Sequence, residues 1–249
     1  MALPALRPLS KGEILDGAFT LYRRHFIAFF AVMVAIMVPA AAARLAAPEW
    51  GGLANSVLYF AAWGATVRVA SDAVLGRPPS IGGAIGTGAR KLVPLLLNYV
   101  VLLLAIGVGL VLLVVPGLLV AIMGFAIAPV IVIENRSYGL GRSRALAKGA
   151  WGKIAILTLL SAIIVSLPSI AVFGFAGVFS SATADALLGS APTSTPVWVD
   201  LTAMLLTCFT APFSNSVLTL LYYDQRVRKE GLGIELQAAS IGRAIPATG

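Results

Sequence analysis

Long apolar runs alternate with short polar segments along the whole chain. Each run is close to the roughly 20 apolar residues that an α-helix needs to cross the hydrocarbon layer of a bilayer. The pattern therefore predicts an all-α fold, a polytopic membrane helix bundle that forms a single integral membrane domain over residues 1–249. Six transmembrane helices are predicted, at about residues 26–46, 53–75, 92–115, 118–133, 154–179 and 197–222.

The third and fourth predicted spans share one apolar stretch from Leu92 to Ile133, about twice the length of a single span. Pro116 and Gly117 lie near its middle, and proline followed by glycine favours a tight turn. Two helices joined by a turn at these two residues therefore fit the stretch better than one long helix.

Positive charge is concentrated on one side of this predicted arrangement. All but two of the 18 Lys and Arg residues, Arg44 and Arg68, lie in the N-terminal segment, in alternate connecting segments or in the tail 223–249. Lys and Arg are absent from the three connections on the opposite side, which are residues 48–52, 116–117 and 180–196. Since membrane insertion retains positive residues in the cytoplasm, both termini are predicted to be cytoplasmic.

The composition agrees with a lipid environment. Hydrophobic residues make up 59% of the chain and charged residues 11%, with a mean hydropathy of +0.95, whereas soluble domains carry about 25% charged residues. The net charge of +8 flanks apolar spans and does not form a basic fold with stacking aromatics, so no nucleic-acid partner is expected. The expected partners are anionic lipid headgroups at the cytoplasmic face and another membrane protein.

Residues 9–25 predict an amphipathic surface helix. Ser10 and Glu13 have the spacing of a capping box, and apolar residues follow at intervals of three and four. Two placements stay open: the helix lies in the headgroup layer with Arg23 and Arg24 towards lipid phosphates, or it packs on the floor of the bundle. The first apolar run is long for a signal peptide, so an uncleaved signal anchor is expected.

A weak internal repeat precedes the first and fifth spans. In both places a leucine, Leu21 or Leu146, stands five residues before an aromatic residue, with basic residues between them. The segment 81–91 is a looser third copy whose glycines make it a poorer helix. The hypothesis is a three-fold repeat in which each unit is a surface helix and a transmembrane hairpin, with units at about 9–75, 80–134 and 138–223.

Polar side chains inside the spans form one candidate polar or lipid-headgroup site. Arg68 and Asp72 are four residues apart on one helix face, which favours a structural ion pair and leaves a headgroup site as the alternative. In the sixth span, small polar residues either join neighbouring helices or line a watery cavity. The candidate site comprises Arg68, Asp72, Thr210, Ser214 and Asn215. Asn98 is expected to bond to a neighbouring helix.

A second candidate is a cytoplasmic network of charged residues beside the spans. It either ties the C-terminal segment to the surface helices or docks a partner, and a solvated anchor is the simpler interpretation. Its predicted members are Arg23, Arg24, Glu134, Asp224, Arg226 and Arg228.

Catalytic, cofactor-binding and metal-binding residues are not predicted. The chain has one histidine, His25, and one cysteine, Cys208, which is too few for a zinc site, and no serine or cysteine nucleophile stands beside His25. It also lacks a glycine-rich phosphate loop and an HExxH motif.

Three polar motifs carry a resemblance to a known family. Residues Leu6–Phe26, the stretch Pro129–Glu134 followed by Gly141–Leu146 and Trp151, and Leu221–Gly231 resemble bacterial proteins of the glycerophosphoryl diester phosphodiesterase membrane-domain family. The resemblance implies a six-helix membrane protein of unestablished function. The family name refers to a phosphodiesterase barrel fused to some members, and this chain has neither the histidines nor the length for that barrel.

The function predicted from these observations is non-enzymatic. The chain is expected to be an inner-membrane scaffold or accessory subunit that binds lipid or another membrane protein. The alternative is a small transporter or lipid-handling protein with a polar cavity between its hairpins.

Overall fold

The computed structural model describes residues 7–179 and 197–232, and within these ranges the chain forms helices and no strands. The predicted loop 180–196 and the end of the predicted tail, 233–249, lie outside them. The helices are α1 Lys11–Arg24, α2 Phe26–Ala46, α3 Pro48–Val74, α4 Ile81–Leu112, α5 Val114–Met123, α6 Ile127–Ile133, α7 Leu140–Ala147, α8 Trp151–Phe179 and α9 Val197–Glu230.

Among the described residues, five candidate membrane spans are long and apolar enough to cross a bilayer, so the chain is a multi-pass membrane protein by helix length and composition. They are Phe26–Ala46, Ile81–Leu112, Val114–Ile133, Trp151–Val172 and Leu201–Glu230. The helix α3, predicted as a further span, has 27 residues but is not among the five. Its sequence is less apolar because it carries groups such as Arg68 and Asp72.

The helix α3 lies at the centre of the bundle. It packs against α1, α2, α4, α6 and α9, and its residues Ala62, Ala65, Val69 and Ala70 are fully buried. A helix that faces other helices on most of its surface does not need a lipid-compatible face all round. Its central position therefore explains why α3 tolerates a more polar sequence than its neighbours.

The helix α1 begins with the capping box that the sequence predicts. The Glu13 N–H donates to Ser10 Oγ at 3.3 Å, and the Ser10 N–H donates to Glu13 Oε2 at 2.7 Å. The Ser10 N–H and the Arg7 guanidinium stabilise the carboxylate and lower the pKa of Glu13 to about 2. Ile14, Ala18 and Leu21 are buried in the main core, so the apolar face of α1 packs against the bundle.

The predicted turn at Pro116 and Gly117 was wrong. The helix α4 ends at Leu112, the backbone of Leu113 is extended, and α5 begins at Val114. Pro116 therefore lies in the first turn of α5, where its missing N–H removes no helical hydrogen bond. Gly117 allows close approach, because a Cβ on Gly109 would lie 2.8 Å from Gly117 Cα.

Other predicted boundaries also differ from the structure. The predicted connection 48–52 is helical and forms the start of α3, so only Ala47 separates α2 from α3. The segment 81–91 is part of α4, because Ser80 Oγ caps that helix by accepting the Gly83 N–H at 3.2 Å. The predicted span 118–133 breaks between α5 and α6, where Ser143 Oγ accepts the Ala126 N–H at 3.0 Å. The last helix continues past residue 222 to Glu230, supported by ion pairs between residues four apart.

Consecutive long helices pack as pairs, α2 with α3, α4 with α5, and α8 with α9. The short helices α1 and α7 precede the first and third pairs, whereas the corresponding segment of the second pair is continuous with α4. This arrangement is compatible with a three-fold repeat, which remains a hypothesis.

Candidate functional site at the charged end

Asp224 is the centre of a buried ion-pair cluster at one end of the bundle. Its side chain is 0% exposed. Its carboxylate accepts hydrogen bonds from the Leu9 N–H at 2.8 Å, from Lys153 Nζ at 2.6 Å and from Arg228 Nε at 3.0 Å. Lys153 Nζ and the Arg228 guanidinium also donate to the Leu9 carbonyl, at 2.6 and 2.7 Å. The cluster thus joins the N-terminal segment, the start of α8 and the end of α9.

A second cluster surrounds Glu134 at the end of α6. Its carboxylate accepts from Arg142 Nε at 3.0 Å and from the Tyr222 hydroxyl at 3.0 Å. Arg142 also pairs with Glu230 at 2.5 Å, and Glu230 pairs with Arg226 at 2.9 Å. The hydrogen bonds to Glu230 and Glu134 raise the pKa of Arg142 above its ordinary value. The two clusters share α9, and we call their combined location the charged end.

The structure brings together four of the six residues predicted for the cytoplasmic network. Asp224 and Arg228 belong to the first cluster, and Glu134 and Arg226 to the second. The other two, Arg23 and Arg24, lie exposed in the last turn of α1, at the opposite end of that helix from Leu9. The position suits them because the C-terminal end of a helix dipole favours cations.

Two central members, Lys153 and Arg142, were missed as site residues. Lys153 is separated from Asp224 by 71 positions, and Arg142 from Glu134 by eight positions that include a turn. The only local signal is that each stands within the first turn of a helix next to a basic segment. The choice of partner depends on how the helices pack.

Arg68 and Asp72 form the predicted ion pair, with 2.9 Å between Arg68 Nε and Asp72 Oδ2. The Asp72 side chain is 10% exposed and that of Arg68 is 42% exposed. One turn away, the Ser71 and Tyr223 hydroxyls share a 2.8 Å hydrogen bond that joins α3 to α9. The pair therefore lies at the end of α3, next to the contact between α3 and α9. This position agrees with a structural role for the ion pair.

We expect Arg68→Ala to lower the free energy of unfolding in detergent by about 1 kcal/mol, because it leaves a mostly buried carboxylate without its cation. The measurement is thermal unfolding of the purified chain. Adding Asp72→Ala should restore part of the loss, since the uncompensated charge is then removed. An unchanged melting temperature for Arg68→Ala would show that the pair contributes nothing.

Among the small polar residues of α9, Asn215 bonds to a neighbouring helix, whereas most hydroxyl groups donate to carbonyls of α9 itself. Asn215 Nδ2 donates to Thr66 Oγ1 of α3 at 2.7 Å, and both residues are buried. The Thr210 hydroxyl donates to the Leu206 carbonyl of its own helix at 3.0 Å, and Ser214 is half-buried. The partners of Asn215 and Thr210 are thus Thr66 and a carbonyl of α9, and a shared polar site with Arg68 and Asp72 stays a prediction.

Asn98 of α4 forms hydrogen bonds with the backbone of the turn between α6 and α7. Its Oδ1 accepts the Gly139 N–H at 2.9 Å, and its Nδ2 donates to the Ser137 and Pro94 carbonyls, each at 2.8 Å. The predicted partner was a neighbouring helix, whereas Ser137 and Gly139 belong to the turn between α6 and α7. The side chain thus satisfies the N–H of Gly139, which is buried although the preceding residues 135–138 are exposed.

Two cavities lie near the ends of the bundle. The first, of about 420 Å³, is at the charged end between α1, the turn before α8 and the end of α9. The second, of about 290 Å³, lies towards the opposite end, and its polar lining includes Arg44, Asn55, Tyr59 and Thr207. Arg68 and Asp72 line neither of them.

Comparison with known proteins adds no relative to these observations. No family model, no curated protein and no solved structure matches the chain. Within residues 7–179 and 197–232, no group of three or more His, Cys, Asp and Glu residues could hold a metal ion, and Cys208 is buried. Any functional proposal therefore depends on the geometry of the charged end and the two cavities.

Proposed function

We propose that the chain is a six-span protein of the bacterial inner membrane that acts without catalysis, as a scaffold or accessory subunit that binds anionic lipid or another membrane protein. The observation that carries the proposal is the charged end. There α6, α7, α8 and α9 contribute charged side chains to two clusters that share α9, and the N-terminal segment contributes the backbone N–H and carbonyl of Leu9. A cationic, rigidly held surface beside membrane spans suits recognition of anionic headgroups.

The sixth crossing is assigned to α3. A single residue, Ala47, separates the end of α2 from the start of α3. A helix of this length is about 40 Å long, and after so short a connection it must run back across the same layer. Six crossings place both termini on one side, and the cation-rich segments place that side in the cytoplasm.

Reporter fusions test this topology. An alkaline phosphatase fused after Thr195 should be active, because that enzyme works only outside the cytoplasm, whereas a fusion after Gly249 should be inactive. A fusion in the short connection at residues 76–79 serves as a control and should match the C-terminal one. Equal activity after Thr195 and after Gly249 would overturn the six-span arrangement.

The charged groups form ion pairs that hold the structure together, which supports a non-catalytic role. Glu134, Asp224 and Glu230 are each bound by cations from other segments or by neighbours in their own helix, so their carboxylates hold helices together. The same residues lie in the motifs that resemble the glycerophosphoryl diester phosphodiesterase membrane-domain family. On this proposal, those motifs encode the architecture of the charged end and not a phosphodiesterase activity.

A transporter or lipid-handling protein is the second candidate, favoured by the cavity that contains Thr207 of α9. Along α2, Met37 lines that cavity, whereas Met33 and Phe29 towards the charged end are fully buried. Along α9, the buried residues Ala211 and Val217 follow Thr207 in the same direction. The two cavities are therefore separated by packed side chains, and transport would need these helices to move apart.

Lipid analysis of the purified chain tests the main proposal. The full chain is extracted from native membranes in mild detergent, and its bound lipids and proteins are identified by mass spectrometry. We expect enrichment of anionic over zwitterionic lipids relative to the whole membrane, or a stoichiometric membrane-protein partner. An unrelated multi-pass protein purified in the same way is the control. A lipid composition equal to that control, with no partner, would contradict the proposal.

A further inference from the structure

The cavity of about 420 Å³ at the charged end has a strongly cationic lining. Five basic side chains from three segments surround it: Lys11 of α1, Lys148 and Lys153 at the start of α8, and Arg228 and Lys229 of α9. Lys11, Lys148 and Lys229 are exposed at its rim. The volume lies in the range of ordinary ligand sites, about 300 to 1,000 Å³.

Most of the positive charge on these five side chains is not balanced by negative charge on their hydrogen-bond acceptors. The carboxylate of Asp224 pairs with both Lys153 and Arg228, so one negative charge offsets two positive ones. Lys229 Nζ donates to the carbonyl oxygens of Ala145 and Lys148, which carry no net charge. Like charges held around a concave surface raise the local potential, and a bound anion would relieve their repulsion.

The N-terminus of α8 adds to this potential. Ala150, which directly precedes the first residue of α8, lines the cavity, whereas the N-terminus of α1 is already capped by Ser10 Oγ and the Glu13 carboxylate. The first-turn N–H groups of a helix lack intrahelical acceptors, and the helix dipole places partial positive charge there. Lysine side chains combined with helix N-termini are a common setting for phosphate groups.

We propose that this cavity binds a phosphate group that carries more than one negative charge. The proposal rests on the proposed lipid-binding function and names the chemistry that its site recognises. A terminal phosphate monoester fits five cations better than a phosphodiester with a single charge. The group belongs either to a lipid headgroup at the membrane surface or to a soluble phosphate compound.

Binding of two probes to the full chain distinguishes these sources. In the first arm, the chain in detergent is titrated with inorganic phosphate, with chloride at equal ionic strength as the control. In the second arm, the chain is reconstituted in bilayers that contain phosphatidate or only phosphatidylcholine, and bound lipid is counted by native mass spectrometry. Binding of inorganic phosphate alone indicates a soluble ligand, and binding of phosphatidate indicates a headgroup.

Paired variants locate the site. Lys11→Gln with Lys148→Gln removes two rim charges, and Arg77→Gln with Arg90→Gln removes the same charge from exposed positions that do not line the cavity. We expect the first pair to weaken binding of the preferred probe about tenfold, and the second pair by less than about twofold. Equal melting temperatures establish that both variants are folded.

Two results would overturn the cavity assignment: no binding of either probe by the unchanged chain, or equal losses in both variant pairs. Equal losses together with retained enrichment of anionic lipid would refute the cavity while leaving the proposed lipid-binding function in place. Phosphate binding that depends on Lys11 and Lys148, without any preference for anionic lipid, would refute lipid binding and keep the cavity.

Discussion

Asp224→Ala is expected to lower the free energy of unfolding by about 3 kcal/mol, because it leaves Lys153 in a largely buried position without its counter-charge. The Lys153 side chain is only 15% exposed, and the same change removes the acceptor of the Leu9 N–H. The N-terminal segment, α8 and α9 would all lose their common contact. The measurement is unfolding of the purified chain in mixed micelles with increasing denaturing detergent.

Two further variants make this result specific. Asp16→Ala is the matched control, since Asp16 is an exposed residue of α1, and its replacement should cost less than about 0.5 kcal/mol. Asp224→Asn keeps the shape and one acceptor oxygen but removes the charge, so its loss should lie between the two. If Asp224→Ala unfolded at the same detergent fraction as Asp16→Ala, the buried cluster would not be a source of stability.

Gly88→Ala is expected to destabilise the chain by about 1 to 3 kcal/mol, the usual cost of an extra carbon in a packed core. A Cβ at Gly88 of α4 would overlap the Ala61 carbonyl oxygen of α3 and would lie 3.0 Å from Ala65 Cβ. Gly64 of α3 is equally close, since its own Cβ would lie 3.4 Å from Gly88 Cα. The two helices must therefore separate to accept even a methyl group.

Gly107 provides the matched control in the same helix, because a Cβ built there meets nothing within 4 Å. Gly107→Ala should be neutral, or stabilising by up to about 1 kcal/mol through the higher helix propensity of alanine. Detergent-induced unfolding of both variants measures the difference. A loss at Gly107 that equals the loss at Gly88 would show that helix separation is not the cause.

The seam between α3 and α4 shows why small residues matter in this chain. Ala61 and Ala65 on α3 face Gly88 on α4, and each helix presents small residues at intervals of four. In lipid, apolar burial does not drive helix association, so close packing of backbones contributes much of the attraction. This requirement explains Gly88 in the segment 81–91, where helix propensity alone predicted a poorer helix.

Contacts between residues that are close together in sequence could be predicted from the sequence alone. The capping box of Ser10 and Glu13 and the pair of Arg68 and Asp72 involve residues three or four apart, so helix geometry alone brings them together. The turn at Pro116 and Gly117 was wrong because proline is tolerated in a first helical turn, and because Gly117 packs against Leu110, whose backbone N would lie 2.9 Å from a Cβ at position 117. Packing between the helices, and not the local sequence, therefore decided the structural role of these two residues.

Composition and periodicity by themselves determined that this is a multi-pass membrane protein made of helices, with its cations collected in alternate connections. They suffice because the bilayer requires long apolar helices with internally satisfied backbones, whatever their neighbours. Only the tertiary structure decided that α3 is central, that Lys153 meets Asp224, and that five cations surround one cavity. Those contacts join residues that are far apart in sequence. Each charged residue has many potential partners, and the packing of the helices, which a local sequence pattern does not encode, selects one of them.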